Sequence, residues 1–304
     1  MSDVELFAAG SLAAREMPRY EQAAMTFLLR YRNVHTRTGY ARSLRQWFDW
    51  CTGRGLDPLE AKRVDIEMWQ RLCEAAGNKS TTVAAKVNAL VGYYRLACVD
   101  EYIDKDPTVH LMRVKVPRES STNGLTRAQL YEMLEQALQA SKRDHALICL
   151  LGLNGLRISE VLNIDIEDLG FDRGHNTVTV TRKGGKEQHI PFCARTAWAV
   201  FEQRGDRTTG PLFVRADGLR LTRQSAGYIV KRIGRLAGVP QNISPHSLRH
   251  AFVTLALDAG VAPRDVQLST GHASLAMVSY YDRRRETLDR NATHALAAFV
   301  AGMS

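Results

Sequence analysis

The sequence predicts a mainly α-helical protein of two domains, with one small antiparallel β-sheet in the second. Three observations lead there. Apolar residues recur at helical spacing through most of residues 18–110. Residues 111–124 are basic, then polar, with no helical period, which is the pattern of an interdomain linker. After Arg157, two short alternating segments flank Lys183-Gly184-Gly185-Lys186, a hairpin signal. A chain of 304 residues has room for two separate cores.

The elements follow in order. Residues 1–17 read as a tail. Residues 20–31 place Ala24, Phe27, Leu28 and Tyr31 on one helical face, and residues 38–51 repeat the pattern with Tyr40, Leu44, Trp47 and Phe48. Gly53, Gly55 and Pro58 end that helix. Two more helices are expected over 64–76 and 81–99, the second preceded by Asn78-Lys79-Ser80-Thr81 as a capping stretch. In the second domain, residues 125–286, Thr126 is the expected N-cap of a first helix. An apolar helix over 145–153 and a short one over 158–162 come next. Strands are expected over 176–182 and 187–192, and helices resume at Arg223. Residues 287–304 form a tail helix on which Ala292, Leu296, Phe299 and Val300 make a partly apolar stripe. There is no internal repeat or low-complexity tract.

Lys and Arg number 41 against 32 Asp and Glu, giving a net charge of +9. That excess suits a polyanionic partner, and DNA is the commonest in a cell. The five cysteines (Cys51, Cys73, Cys98, Cys149, Cys193) are scattered, which argues for reduced thiols rather than a disulfide framework or a zinc site. No signal peptide and no bilayer-length apolar run is apparent, so a soluble cytoplasmic protein is expected.

The chemistry lies in an ordered set of residues. Arg157 sits in Gly155-Leu156-Arg157-Ile158-Ser159-Glu160; His246 and Arg249 lie in His246-Ser247-Leu248-Arg249-His250; Gly271-His272 and Tyr280-Tyr281-Asp282 follow. Arginine forks neutralise and orient phosphate oxygens. Imidazoles exchange protons near neutral pH, and a phenol can act as a nucleophile. Its reference pKa near 10 must be offset, and converging cations would lower it. Arg157 follows a glycine turn at the start of a helix, where the dipole favours an anion. Glu160, three residues on, is placed to hold the guanidinium or a neighbouring imidazole. Read alone, the two are an ordinary surface ion pair. His246 and Arg249 share a helical face behind Pro245, a good first-turn residue. Leu248 points the other way, with Phe252 and Leu255 continuing a buried stripe. Gly271 fits a helix C-terminus after residues 263–268, presenting His272 from the turn.

At these residues the chain resembles the tyrosine recombinase (phage integrase) family of DNA strand-exchange enzymes. The resemblance covers nearly the whole chain and is strongest in its second half. Gly155-Leu156-Arg157-Ile158-Ser159-Glu160-Val161-Leu162 is similar to the family's first arginine motif. The resemblance implies a helical core-binding domain over 18–110 and a larger α+β catalytic domain over 125–286, which together clamp duplex DNA. It implies that Tyr281, by its spacing from His272, is the nucleophile, and that Tyr280 and His250 are structural. Arg157, Arg249 and His272 then act on the nonbridging oxygens and His246 assists proton transfer. Lys183 protonates the departing 5′ oxygen, with Lys186 its rival. The implied 3′-phosphotyrosyl intermediate stores the bond energy, so neither metal, ATP nor other cofactor is expected. One departure is Thr270, where the family often has leucine before Gly-His; that position is a packing one.

Candidate DNA contacts are Arg37 and Arg42 in one helix and Lys79, Thr81 and Lys86 in another, beside the linker's Arg113 and Lys115. Arg223 and Gln224 open a helix suited to the major groove, where Arg reads guanine and Gln adenine. In the family a tail such as 287–304 docks on a neighbouring protomer and links four subunits on two DNA sites. The chain leaves little room for a further N-terminal arm-binding domain, which points to a compact recombinase of the Xer or transposon type. The rival readings are a type IB topoisomerase and a non-catalytic DNA-binding protein with a vestigial site.

Overall fold

A computed structural model of the chain describes residues 17–112, 114–116, 124–182, 185–240 and 242–271, with Ser274, Thr293, Ala297, Val300 and Ala301 beyond them. The chain divides into two units, Met1–Ser120 and Ser121–Ser304.

The first unit holds α1 (Arg19–Leu29), α2 (Val34–Thr52), a 3₁₀ turn (Pro58–Glu60), α3 (Arg63–Ala75) and α4 (Ser80–Val99). Its core is aromatic: Phe27, Trp47, Phe48, Tyr93 and Tyr94 are buried together with Leu44 and Leu90. The polar ends of these rings are satisfied inside. Trp47 Nε1 donates to Tyr94 Oη at 2.9 Å, and Tyr94 Oη donates to the Pro58 carbonyl at 2.6 Å. Helix α2 starts four residues earlier than the apolar period indicates, because the Asn33 side chain accepts from the His35 and Thr36 amides. The expected cap of α4 is not formed. Lys79 is its N-cap without a side-chain bond, while the Asn78 amide turns back to the Cys73 carbonyl at 2.8 Å. Leu111 and Val114, within the stretch expected as linker, are half-buried against this core.

The second unit opens with α5 (Arg127–Ala140), capped as expected by Thr126, whose Oγ1 accepts from the Gln129 amide at 3.2 Å. Helix α6 (Lys142–Gly152) begins at Lys142 rather than 145 because Ser141 caps it, accepting from the Asp144 amide at 3.1 Å. Every residue from Asp144 to Gly152 is buried, which makes α6 the centre of the core. Then come α7 (Ile158–Asn163), β1 (Leu169–Asp172), β2 (His175–Thr181) and β3 (Glu187–Pro191). They are followed by α8 (Ala194–Arg204), α9 (Arg223–Leu236), α10 (Pro245–Asp258) and α11 (Pro263–Thr270).

The sheet is antiparallel in the order β1-β2-β3, with Val178 paired to Ile190 and Thr181 to Glu187. Strand β1 was not expected. It is four largely exposed residues, joined to β2 through Arg173 and Gly174 at φ 47° and 84°, a two-residue turn whose positive angles match the sheet's twist. Strands β2 and β3 each end one residue earlier than the alternation indicates, since Arg182 and Phe192 leave the ladder. Helix α10 also differs from expectation. Phe252 and Leu255 are only half-buried; Leu248 and Ala251 enter the main core, while Val253 and Leu257 pack with Val266 of α11.

Gly155 makes the turn into α7 at φ 60°, and a Cβ there would overlap the Phe252 ring. Gly155→Ala therefore combines left-handed strain with a clash. We expect it to destabilise the protein by about 1–3 kcal/mol. The urea unfolding midpoint of the full chain checks this; an unchanged midpoint contradicts it.

Candidate active site

Three helix starts and faces enclose a cleft of about 530 Å³ in the second unit. The N-terminal end of α7 contributes Arg157, one face of α9 contributes Arg223, Gly227 and Lys231, and the N-terminal part of α10 contributes His246 and Arg249. The lining includes no carboxylate among the described residues. A cleft walled by cations with low-dielectric packing behind them concentrates an anion.

Arg157 is the N-cap of α7, at φ −72° and ψ 147°. The Glu160 carboxylate accepts from its backbone amide at 2.8 Å and from Nη1 at 2.6 Å, so one side chain fixes both ends of the arginine. Helix α7 has only six residues, so anion binding here rests on the guanidinium rather than a dipole. Glu160 is buried behind the cleft wall. It orients Arg157 without putting negative charge where a phosphate would sit.

Arg249 is 4% exposed. Its Nη1 donates to the Gly155 carbonyl at 2.5 Å and its Nη2 to the Thr270 carbonyl at 2.6 Å. Arg157 Nη2 in turn donates to the Gly271 carbonyl at 2.9 Å. Both motif arginines are thus locked onto the C-terminal end of α11, where helix carbonyls lack intrahelical partners. Gly271 closes that helix in the left-handed conformation, φ 61° and ψ 43°, as the sequence indicates. Thr270 is fully buried, with Oγ1 donating to the Val266 carbonyl at 2.6 Å, so the residue replacing leucine is a packing one that also bonds.

The N-terminus of α10 is set by Ser244, which accepts from the Ser247 amide at 3.3 Å, and by Pro245 in the first turn. His246 follows, reaching the cleft surface. Desolvation, then the Arg249 guanidinium, hold its imidazole below the ordinary 6.5. The ring is therefore neutral at pH 7 and able to accept a proton. The native state binds this proton more weakly than the unfolded chain does. The resulting stability is complete above about pH 6.5 and is lost as pH falls through the lowered native value. In DNA-free protein the His246 ring resonances will titrate below 6.5; a midpoint above that value contradicts the geometry.

The structure brings Arg157, Glu160, Arg249 and His246 together with Arg223. Lys183, His272, Tyr280 and Tyr281 lie outside the described residues, as does most of 287–304. Lys186 is exposed, and its carbonyl accepts from the Arg182 amide at 2.8 Å. His250 is buried. Gln224 is exposed at the start of α9 and is not part of the cleft wall. In the first unit Arg42, Lys79 and Thr81 are exposed, but two expected DNA contacts turn inward. Arg37 donates to the Tyr31 carbonyl at 3.5 Å. Lys86 is held by Asn78 Oδ1 at 3.5 Å and lies 5.8 Å from the Trp69 ring centroid. The sequence reading missed Lys231 and Arg182. Lys231 was findable, since it stands eight residues, two helical turns and one face, from Arg223.

Residues 123–287 match the phage integrase family, and residues 25–99 match the phage integrase N-terminal SAM-like domain. Tyrosine recombinase XerD of Pseudomonas aeruginosa is 31% identical over 275 residues, 86% of this chain and 91% of that protein. XerD of Ralstonia nicotianae is 30% identical, over 81% of this chain and 83% of its own length. The fold is shared at lower identity with two solved structures. XerH recombinase bound to a palindromic difH substrate after cleavage is 20% identical, with TM-score 0.69 over 88% of this chain and 80% of that one. A lambda integrase dimer bound to a COC′ core site is 14% identical, with TM-score 0.70 over 85% and 95%. The chain belongs to the phage integrase family, the tyrosine-type site-specific recombinases.

Proposed function

We propose that the protein cuts and rejoins duplex DNA at two recombination sites through a 3′-phosphotyrosyl intermediate. The observation that carries this is the cleft: Arg157, Arg223, Lys231 and Arg249 converge on one space that His246 also lines. A phosphodiester is an anion that such a cleft attracts, and the XerH and lambda integrase structures were solved with DNA sites.

Tyr281 attacks the scissile phosphorus. A Tyr281 O–P bond forms as the P–O5′ bond breaks, the phenolic proton passes to His246, and Lys183 gives a proton to the departing O5′. Arg157, Arg249 and His272 stabilise the charge that builds on the nonbridging oxygens. Attack by a 5′-hydroxyl of the partner strand reverses the step. On this scheme the protein's own side chains supply every proton and charge, so no cofactor is assigned. Residues 18–110 form the core-binding domain and 125–286 the catalytic domain, joined by 111–124, with Arg42, Lys79, Thr81, Arg223 and Gln224 on the duplex. The tail 287–304 links protomers into a tetramer on paired sites, with an accessory or partner recombinase as a further component.

A supercoiled plasmid carrying two copies of a duplex selected by binding from a randomised pool tests this. Deletion or inversion between the copies is expected. Relaxation without recombinants would point to topoisomerase action, and binding without either would point to a non-catalytic protein.

A further inference from the structure

Arg182 belongs to no motif, yet its guanidinium is bonded to the C-terminal end of α11. It is 9% exposed, at the foot of the turn between β2 and β3. Its Nη1 donates to the Thr270 carbonyl, the same oxygen that Arg249 uses, and its Nη2 donates to the Ser269 carbonyl at 2.8 Å. Glu160 Oε1, which holds Arg157, lies 3.9 Å from Arg182 Nη1. Gln188 on β3 adds a bond to the Leu268 carbonyl at 3.2 Å. Side chains of the hairpin therefore occupy three successive carbonyls at the end of α11. The backbone of Arg182 also closes the turn, donating to the Lys186 carbonyl at 2.8 Å and accepting from the Gly185 amide at 3.0 Å. A Cβ on Gly271 would run into this guanidinium, so glycine there serves the clamp as well as the helix end.

We propose that Arg182 is a positioning residue for strand cleavage, fixing the foot of the β2–β3 turn on the C-terminal end of α11 so that Lys183 meets the leaving oxygen. The inference rests on the proposed function. Lys183 is the next residue in the chain, and a lysine stem is long and flexible. A general acid must come within hydrogen-bond reach of the oxygen it protonates, so its attachment point has to be held. Arg182 bridges two carbonyls with a planar fork, while its backbone atoms close the turn that carries Lys183. Glu160 extends the same clamp to Arg157, tying the acid's support to the phosphate's.

The test uses the full chain as wild type, Arg182→Met and Arg182→Lys. A nicked duplex selected by binding traps the covalent product and maps the cleavage position with wild type. A second duplex carries sulfur in place of the bridging 5′ oxygen there. In that duplex the P–S bond breaks and a thiolate leaves without needing a proton, so the general acid becomes dispensable. Arg182→Met is expected to slow single-turnover cleavage of the oxygen duplex by about 10²-fold. DNA affinity should be unchanged, and the sulfur duplex should return the rate to near that of wild type. Arg182→Lys keeps the charge without the fork and should show a smaller defect of the same kind. It decides the question if the methionine variant does not fold. Wild-type rates on the oxygen duplex overturn the proposal, as does an equal defect on both duplexes. Absence of any wild-type adduct on bound DNA would overturn the proposed function instead.

Discussion

Replacing Arg249 by alanine will slow strand cleavage by about 10²–10³-fold while leaving DNA binding nearly intact. The guanidinium is buried and held by two carbonyls, Gly155 and Thr270, from segments far apart in the chain. It is therefore fixed before any phosphate arrives and pays no reorganisation when charge develops on the nonbridging oxygens. Overall DNA affinity is spread over many backbone phosphates, and Arg157, Arg223 and Lys231 remain in the cleft. The loss should fall on the chemical step. Arg249→Lys should recover little, because a point charge cannot bridge both carbonyls and still face a phosphate. Single-turnover cleavage measured beside equilibrium binding checks this. Rate and affinity falling in equal proportion would mean that Arg249 serves only to bind DNA.

Tyr281→Phe should abolish recombination of the two-site plasmid altogether, with binding and unfolding midpoint retained. Only a hydroxyl is removed, and no other side chain in the proposed scheme offers phosphorus a nucleophile for the first step. Tyr280→Phe should recombine, since the spacing from His272 assigns the role to its neighbour. If Tyr280→Phe is the dead variant, the motif has been read one residue out of register.

Much of the fold was legible because apolar period reports which face is buried, and this holds for α1, α2 and α4; α6 was legible instead as an apolar run, buried on every side. What shifted the boundaries were caps, Asn33 and Ser141, that act outside the periodic stretch. Strand β1 escaped because its residues are mostly exposed and its pairing with β2 is a tertiary fact. In the site, Arg157, Glu160, His246 and Arg249 were readable from motif and spacing. Their shared anchorage on Thr270 and Gly271 was not, because it joins segments far apart in the chain. Arg182 reaches a carbonyl 88 residues away, and no local pattern marks that. The inward turn of Lys86 toward Trp69 was hidden for the same reason: a basic residue on a helix looks solvent-facing until its neighbours are known.

The central claim is that a tyrosine of this chain becomes bonded to DNA, and peptide mapping of the trapped product tests it most directly. Protein incubated with a nicked duplex that it binds would be denatured and digested, and the DNA-linked peptide sequenced by mass spectrometry. A 3′-phosphate ester on Tyr281 is the predicted result. A modified Tyr280, or no linked peptide on DNA that is demonstrably bound, would contradict the account.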